Sequence, residues 1–117
     1  MIKFSNKNEQ RCSERISINR KVNLDIQAET YPVKMVDISH CGIGIVSPKV
    51  LQDNTLLEIE FDLPGYEQNS NIKTQAQVIH STPINHNYLI GLAFINLNLH
   101  SQLVIKEFSN FHNRFNA

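Results

Sequence analysis

Hydrophobic and polar residues alternate along most of this chain, and the alternation predicts β-strands. Val22, Leu24 and Ile26, for example, are each followed by a polar residue. The same alternation puts one set of residues on a single face in two later segments, Leu57, Ile59 and Phe61 in the first and Ile72, Thr74, Ala76 and Val78 in the second. A period of two residues is what a strand with one buried face produces. The pattern predicts six strands, over residues 21–27, 31–38, 42–47, 55–63, 72–78 and 88–95.

The segments between these strands are short and rich in turn-forming residues. Glu29 and Thr30 are predicted to form a tight turn, residues 83–87 a second turn, and residues 64–71 the longest loop. No helical pattern separates the strands. This order favours an antiparallel barrel or sandwich.

The period changes to that of a helix at the end of the chain. The apolar stripe there consists of Val104, Phe108, Phe111 and Phe115. Its spacings of 4, 3 and 4 residues predict a helix of about four turns. Asn98 or Ser101 can cap its start. We expect this helix to cover an open end or face of the β unit.

Composition and charge fit a single small domain. The 117 residues contain no apolar run long enough to cross a membrane and no apolar leader at the start, so we expect a cytoplasmic protein without membrane insertion. Net charge is zero, which argues against DNA or RNA as a partner. Residues 1–21 carry six basic and two acidic residues, a net charge of +4. We therefore predict a flexible N-terminal arm over residues 1–10 and a folded domain over residues 11–117.

Two short motifs carry the candidate chemistry. The first is Asp37-x-Ser39-x-x-Gly42, which lies between two predicted strands. The second is the pair Arg11 and Arg15, four residues apart and ahead of the first predicted strand of the chain. Asp and Ser side chains can bond the backbone of a turn, while Gly permits a positive φ or the close approach of another group. A plain hairpin could use the first motif for those reasons alone.

Taken together, the motifs favour a ligand that contains both guanine and phosphate. Arginine guanidinium groups suit phosphate oxygens and the O6/N7 edge of guanine. The carboxylate of Asp37 can accept hydrogen bonds from a guanine N1–H and N2 amine. Ser39 can add a further hydrogen bond, and Gly42 leaves room for a purine near the backbone.

Other chemistries lack support in the sequence. No nucleophile elbow, zinc-protease motif, P-loop or dinucleotide-binding glycine motif is present. His40 follows Ser39, but adjacent side chains point apart, so the pair does not suit nucleophilic catalysis. The five histidines have no ligand spacing. We expect neither an enzyme nor a metal or cofactor site.

The chain has two cysteines, Cys12 and Cys41, one inside each motif. In a chain without an export signal they are expected to be reduced thiols. A smaller hypothesis is that closure of the arm on the turn brings them together, so that oxidation traps or blocks the site.

With these motifs, the chain resembles the PilZ domain family of bacterial cyclic di-GMP receptors. That family carries Arg-x-x-x-Arg and then (Asp/Asn)-x-Ser-x-x-Gly between two barrel strands, and residues 11–15 and 37–42 match both. The resemblance extends from about Glu9 to Phe111. It implies a mainly β fold, a six-stranded antiparallel β-barrel with a C-terminal helix and a flexible N-terminal arm.

The resemblance also implies a role for each motif residue. Arg11 and Arg15 would hold phosphates and guanine edges, Asp37 and Ser39 would recognise a guanine, and Gly42 would keep the turn open. The residue before the first arginine influences ligand stoichiometry in the family. Here that residue is Gln10 rather than a second arginine, a weaker candidate for the site.

Two functions follow from the resemblance. The first is a receptor and adaptor in which cyclic di-GMP orders the arm and so passes a signal to a partner protein in motility, pilus or exopolysaccharide machinery. The second is a PilZ-like interaction module that works without nucleotide. The intact motifs favour the first.

Overall fold

The computed structural model describes residues 14–65 and 67–116, with side chains through residue 112. Within those residues the chain forms six strands and one helix. They are β1 (Ile16–Ile26), β2 (Glu29–Ile38), β3 (Gly42–Ser47), β4 (Leu56–Leu63), β5 (Ser70–Ile84), β6 (Asn87–Ile95) and α1 (Leu99–Asn116). The predicted arm, residues 1–10, and its boundary with the domain lie outside the described residues.

The six strands close into an antiparallel barrel in the order β1-β2-β3-β6-β5-β4. The last strand in that order pairs with the first, with Val22 opposite Phe61 and Leu24 opposite Ile59. Closure leaves no sheet edge open to pairing with another chain. The predicted barrel with a C-terminal helix is confirmed.

The alternating apolar residues point into the barrel and form its core. Ile43 and Ile45 of β3, for example, are almost fully buried. Gly42, which precedes Ile43, and Gly44, which lies between the two isoleucines, therefore belong to the outer face. The predicted inward faces of β4 and β5 are confirmed. They consist of Leu57, Ile59, Phe61, Ile72, Thr74, Ala76 and Val78.

The tight turn between β1 and β2 is not where the sequence pattern predicted it. Gln27 and Ala28 form it, with φ of 53° and 69°, and Glu29 is already the first residue of β2. A two-residue hairpin with positive φ at both central positions is a type I′ turn, which usually selects Asn and Gly. Gln and Ala give no such signal, so the prediction of Glu29-Thr30 was wrong by two residues.

The second predicted turn was too wide. β5 continues through Pro83, which lies opposite Tyr88, and only Asn85 and His86 remain between the strands. Asn85 has a φ of 54°, which asparagine tolerates better than most residues. Pro83 therefore lies in a strand, although proline usually marks a turn.

Helix α1 packs on the barrel as expected. Asn98 caps it, since its Oδ1 accepts a 2.7 Å hydrogen bond from the Ser101 N–H. Val104, Ile105 and Phe108 belong to the same core cluster as the barrel residues. Phe111, part of the predicted stripe, is 42% exposed, so the packed face is turned toward Ile105 instead.

Candidate functional site

Arg15 and Asp37 form an ion pair on the outside of the barrel, just ahead of β1 and near the end of β2. Arg15 Nη1 lies 2.8 Å from Asp37 Oδ1 and donates a hydrogen bond to it. The Arg15 side chain is 50% exposed and the Asp37 side chain 27% exposed. One residue from each sequence motif thus meets the other at a position that solutes can reach.

A β-bulge sets the direction of the Asp37 side chain. Met35 lies opposite Ile45, but Asp37 lies opposite Gly44, so Val36 is an extra residue in β2. A bulge of this kind re-aims the side chain that follows it. The carboxylate of Asp37 lies over Gly44, with both oxygens 2.8 Å from where a Cβ on that glycine would stand.

Ser39 organises the turn between β2 and β3. Its N–H donates to the Gly42 carbonyl at 2.9 Å, and its Oγ donates to the same carbonyl at 3.4 Å. The Oγ also accepts a 3.2 Å hydrogen bond from the Cys41 N–H. Ser39 is 5% exposed, so its hydroxyl serves the backbone of this turn.

Gly42 is needed because two backbones approach closely. A Cβ at this position would lie 1.9 Å from the Leu92 carbonyl oxygen of β6. Its φ is not positive. Of the two sequence-based explanations, close approach therefore applies, and the approaching group is the neighbouring strand.

A second bulge, in β5, repeats this arrangement from the other side. Val78 lies opposite Leu92 and His80 opposite Gly91, so Ile79 is an extra residue. The imidazole of His80 lies over Gly91, with Nε2 2.9 Å from where a Cβ on that glycine would stand.

The two bulges flank one part of the outer barrel surface. Gly44 lies opposite Gly91 in the pairing of β3 with β6. These two residues, which we call the glycine floor, lack side chains on the outer face of the barrel. Asp37 reaches over the floor from one side and His80 from the other.

The predicted site residues divide into three groups. Arg15 and Asp37 are brought together, and Ser39 and Gly42 shape the turn beside them. Arg11 and Gln10 lie outside the described residues. Their predicted roles at a ligand stay predictions.

Sequence reasoning missed Gly44, Gly91 and His80. Gly44 and Gly91 each stand between two apolar residues of a strand. A glycine at such a position often marks the close approach of another group to the backbone, so both could have been proposed as site residues. His80 had no local signal, because its position depends on a bulge and on pairing between distant strands.

Cys41 is disulfide-bonded in the structure. The expectation of a reduced thiol was therefore wrong for Cys41, because the sequence alone does not specify which thiols the fold brings within bonding distance. Cys12 lies outside the described residues.

Two further sequence expectations concern metals and membranes. Among residues 14–65 and 67–116, no group of three or more His, Cys, Asp or Glu side chains is arranged to hold a metal ion. In the same part of the chain, no helix is both long and apolar enough to cross a membrane.

Comparison with known proteins identifies the family. Residues 9–111 match the family described as PilZ domain. The chain belongs to the PilZ domain family. Its Arg-x-x-x-Arg and Asp-x-Ser-x-x-Gly motifs both lie inside the matched range, which supports the resemblance seen in the sequence. A comparison with curated proteins finds no match.

Solved PilZ structures share the barrel. The Bacillus subtilis inhibitor of motility (MotI/DgrA) is 19% identical, with a TM-score of 0.76 over 87% of this chain and 50% of its own. The PilZ domain of Escherichia coli YcgR, solved with c-di-GMP, is 16% identical, with a TM-score of 0.66 over 86% of this chain and 90% of that domain. Borreliella burgdorferi PlzA, in complex with c-di-GMP, is 16% identical, with a TM-score of 0.66 over 92% of this chain and 44% of its own. The present chain thus spans about half the length of MotI and PlzA.

Proposed function

We propose that this PilZ protein is a receptor for cyclic di-GMP. The observation that carries the proposal is the ion pair between Arg15 and Asp37, 2.8 Å apart on the outer barrel surface. It joins the two family motifs in space. Motif residues with another purpose would not need to converge on one accessible point.

The two side chains have the chemistry that a guanine nucleotide requires. The Asp37 carboxylate accepts hydrogen bonds, and a guanine offers N1–H and the N2 amine along one edge. The Arg15 guanidinium donates hydrogen bonds, and it fits a phosphate or the O6/N7 edge. Arg11 is proposed to add a second guanidinium, and Gln10 a weaker contact.

Binding costs little in lost protein contacts. An ion pair as exposed as Arg15–Asp37 stabilises a protein by about 0–1 kcal/mol. Each charge-assisted hydrogen bond to a ligand contributes about 1.5–3 kcal/mol. Exchanging the pair for ligand contacts is therefore favourable, provided that both side chains find partners on the ligand.

Ser39 and Gly42 are proposed to act mainly through the turn. Ser39 is nearly buried and bonded to the backbone, and Gly42 faces the Leu92 carbonyl. Both keep Asp37 at the end of β2 in its outward position. A direct hydrogen bond from Ser39 to the ligand requires its hydroxyl to leave the Gly42 carbonyl, a contact of 3.4 Å.

The names of similar structures support the ligand and the class of output. The PilZ domain of YcgR and PlzA were solved with c-di-GMP, and MotI is named an inhibitor of motility. We propose that ligand binding orders the segment ahead of β1 and that this change is transmitted to a partner protein. The proposed protein is a cytoplasmic adaptor for motility, pilus or exopolysaccharide machinery, with no catalytic activity and no nucleic acid partner.

Calorimetry with cyclic di-GMP, GTP and cyclic AMP tests the ligand. We expect heat of binding with cyclic di-GMP alone. Arg15→Ala should weaken binding by about 10- to 100-fold, since it removes charge-assisted bonds. The matched control is Lys73→Ala, a basic residue in a separate surface ion pair, 4.0 Å from Glu58.

Folded wild-type protein that shows no heat at high micromolar cyclic di-GMP would overturn the proposal. It would favour an interaction module that works without nucleotide. Equal recovery of one partner with and without cyclic di-GMP would point the same way.

A further inference from the structure

His80 is an exposed side chain that the two PilZ motifs do not include. Among residues 14–65 and 67–116 it has no hydrogen-bond or ion-pair partner. It is nonetheless held in a defined place. The bulge at Ile79 puts it opposite Gly91, and its Nε2 lies over that glycine, where any other residue would have a Cβ.

Asp37 and His80 cover the two glycines of the floor from opposite sides. Gly44 and Gly91 lie directly opposite in neighbouring strands. Cβ atoms at such a pair would be about 4.5–5.5 Å apart. The Asp37 carboxylate oxygens stand 2.8 Å from the first of these points and His80 Nε2 stands 2.9 Å from the second.

An acceptor and a donor held over neighbouring glycines match the edge of guanine that carries N2, N1–H and O6. Along that edge, the donors N1–H and N2 are adjacent to the acceptor O6, and N7 follows as a second acceptor. A carboxylate serves the donors, and an imidazole N–H serves the acceptors. Neither glycine of the floor adds a side chain of its own between them.

We infer that His80 is a further ligand-binding residue and that its Nε2–H donates to O6 of the guanine whose N1–H and N2 amine are bound by Asp37. This inference rests on the proposed cyclic di-GMP site. It makes His80 a determinant of base identity. Adenine presents an acceptor at N1 and a donor at its N6 amine, so it places the wrong group opposite both Asp37 and His80.

Three variants at one position separate the donor from the ring. His80→Ala removes both, His80→Phe keeps a ring without a donor, and His80→Gln keeps a donor without the ring. We expect cyclic di-GMP affinity to fall about tenfold in the Ala and Phe variants and to stay within threefold in the Gln variant. His86→Ala is the control, an exposed histidine on the same hairpin, six residues further along the chain.

Cyclic di-AMP provides the second readout. The preference of the protein for cyclic di-GMP over cyclic di-AMP should narrow in His80→Ala and His80→Phe but not in His86→Ala. Thermal unfolding checks that each variant is folded. We expect all of them to be folded, because the His80 side chain is exposed.

The outcomes distinguish this inference from the proposed function. Wild-type protein that does not bind cyclic di-GMP overturns both. Wild-type binding with unchanged affinity and base preference in the Ala and Phe variants overturns only the role of His80. Normal binding by the Phe variant with weak binding by the Ala and Gln variants would show ring stacking, and it would overturn the assignment of a hydrogen-bond donor.

Discussion

The bulges in β2 and β5 use the same backbone irregularity on opposite sides of one surface. Each inserts one residue, Val36 or Ile79, and each puts the next side chain over a glycine of the neighbouring strand. The side chains differ in chemistry. Asp37 is an acceptor already paired with Arg15, whereas His80 has no such partner in the described part of the chain.

The two residues also differ in how well the sequence predicts them: Asp37 could be identified from the sequence, and His80 could not. Asp37 lies in a short motif next to a turn, so its neighbours along the chain reveal it. His80 lies beyond the predicted strand, in a part of β5 where the alternation of buried and exposed residues has ended. A bulge changes pairing without changing composition, and it becomes visible only when both strands are compared.

The largest effect is expected from Gly42→Ala, on the stability of the protein. This variant tests whether β3 and β6, the two strands between the bulges, can move apart. The added Cβ would lie 1.9 Å from the Leu92 carbonyl oxygen, so one backbone must move. We expect a loss of about 3 kcal/mol or more in the free energy of unfolding. This corresponds to a fall of roughly 10 °C in Tm, measured by thermal unfolding. A Tm within about 2 °C of wild type would contradict the close approach.

Asp37→Ala should have the next largest effect, on ligand affinity. The substitution removes both carboxylate acceptors, so cyclic di-GMP binding should weaken by about 10- to 100-fold. Calorimetry measures it, and Glu58→Ala, in the Lys73 ion pair, is the control. Unchanged affinity would show that Asp37 does not bind the ligand. The bulge in β2 would then have no role at the site.

The floor itself is tested by Gly44→Ala and Gly91→Ala. Each Cβ would meet the end of a side chain, Asp37 or His80, rather than backbone. The side chain can move aside, so we expect a loss of less than about 1.5 kcal/mol in stability. Cyclic di-GMP affinity should fall about fivefold in each variant, because an acceptor or donor is displaced.

Calorimetry and thermal unfolding of the same two proteins separate these effects. A large loss of stability with unchanged affinity would show that the two glycines serve packing alone. An effect of Gly44→Ala without one of Gly91→Ala would restrict the site to the β2 side.

Much of the fold could be predicted because local patterns are sufficient for it. Alternation in β4 identified Leu57, Ile59 and Phe61 as inward residues, and all three are buried. The Asn98 cap followed from its position before the helical stripe. Such features depend on residues that are neighbours in sequence.

Features that depend on pairing were predicted less well. The hairpin turn at Gln27 and Ala28 lacks the usual Asn-Gly signature, so its place is set by the pairing of β1 with β2. At the site, sequence identified Asp37 but not Gly44 beneath it. The register of four strands, β2, β3, β6 and β5, decides which glycines face a ligand, and no local pattern specifies that register.

The smallest expected effect is at the β1–β2 turn, where Ala28→Gly tests whether the site is independent of the far end of its strands. Ala28 has a φ of 69°, a conformation that costs a residue with a Cβ about 1 kcal/mol more than glycine. Part of this gain is lost to the greater freedom of glycine in the unfolded chain. We expect a net stabilisation of about 0.5 kcal/mol, seen as a rise of roughly 2 °C in Tm.

Cyclic di-GMP affinity should not change in Ala28→Gly, since Asp37 is nine residues away, roughly 30 Å along β2. Ala28→Val is the matched control, and it should lower Tm because a β-branched residue suits positive φ least. A Gly variant with altered affinity would mean that strain in the turn reaches the bulge at Val36. The two bulges would then differ in mechanical coupling as well as in chemistry, because β5 and β6 are joined by a different turn, at Asn85 and His86.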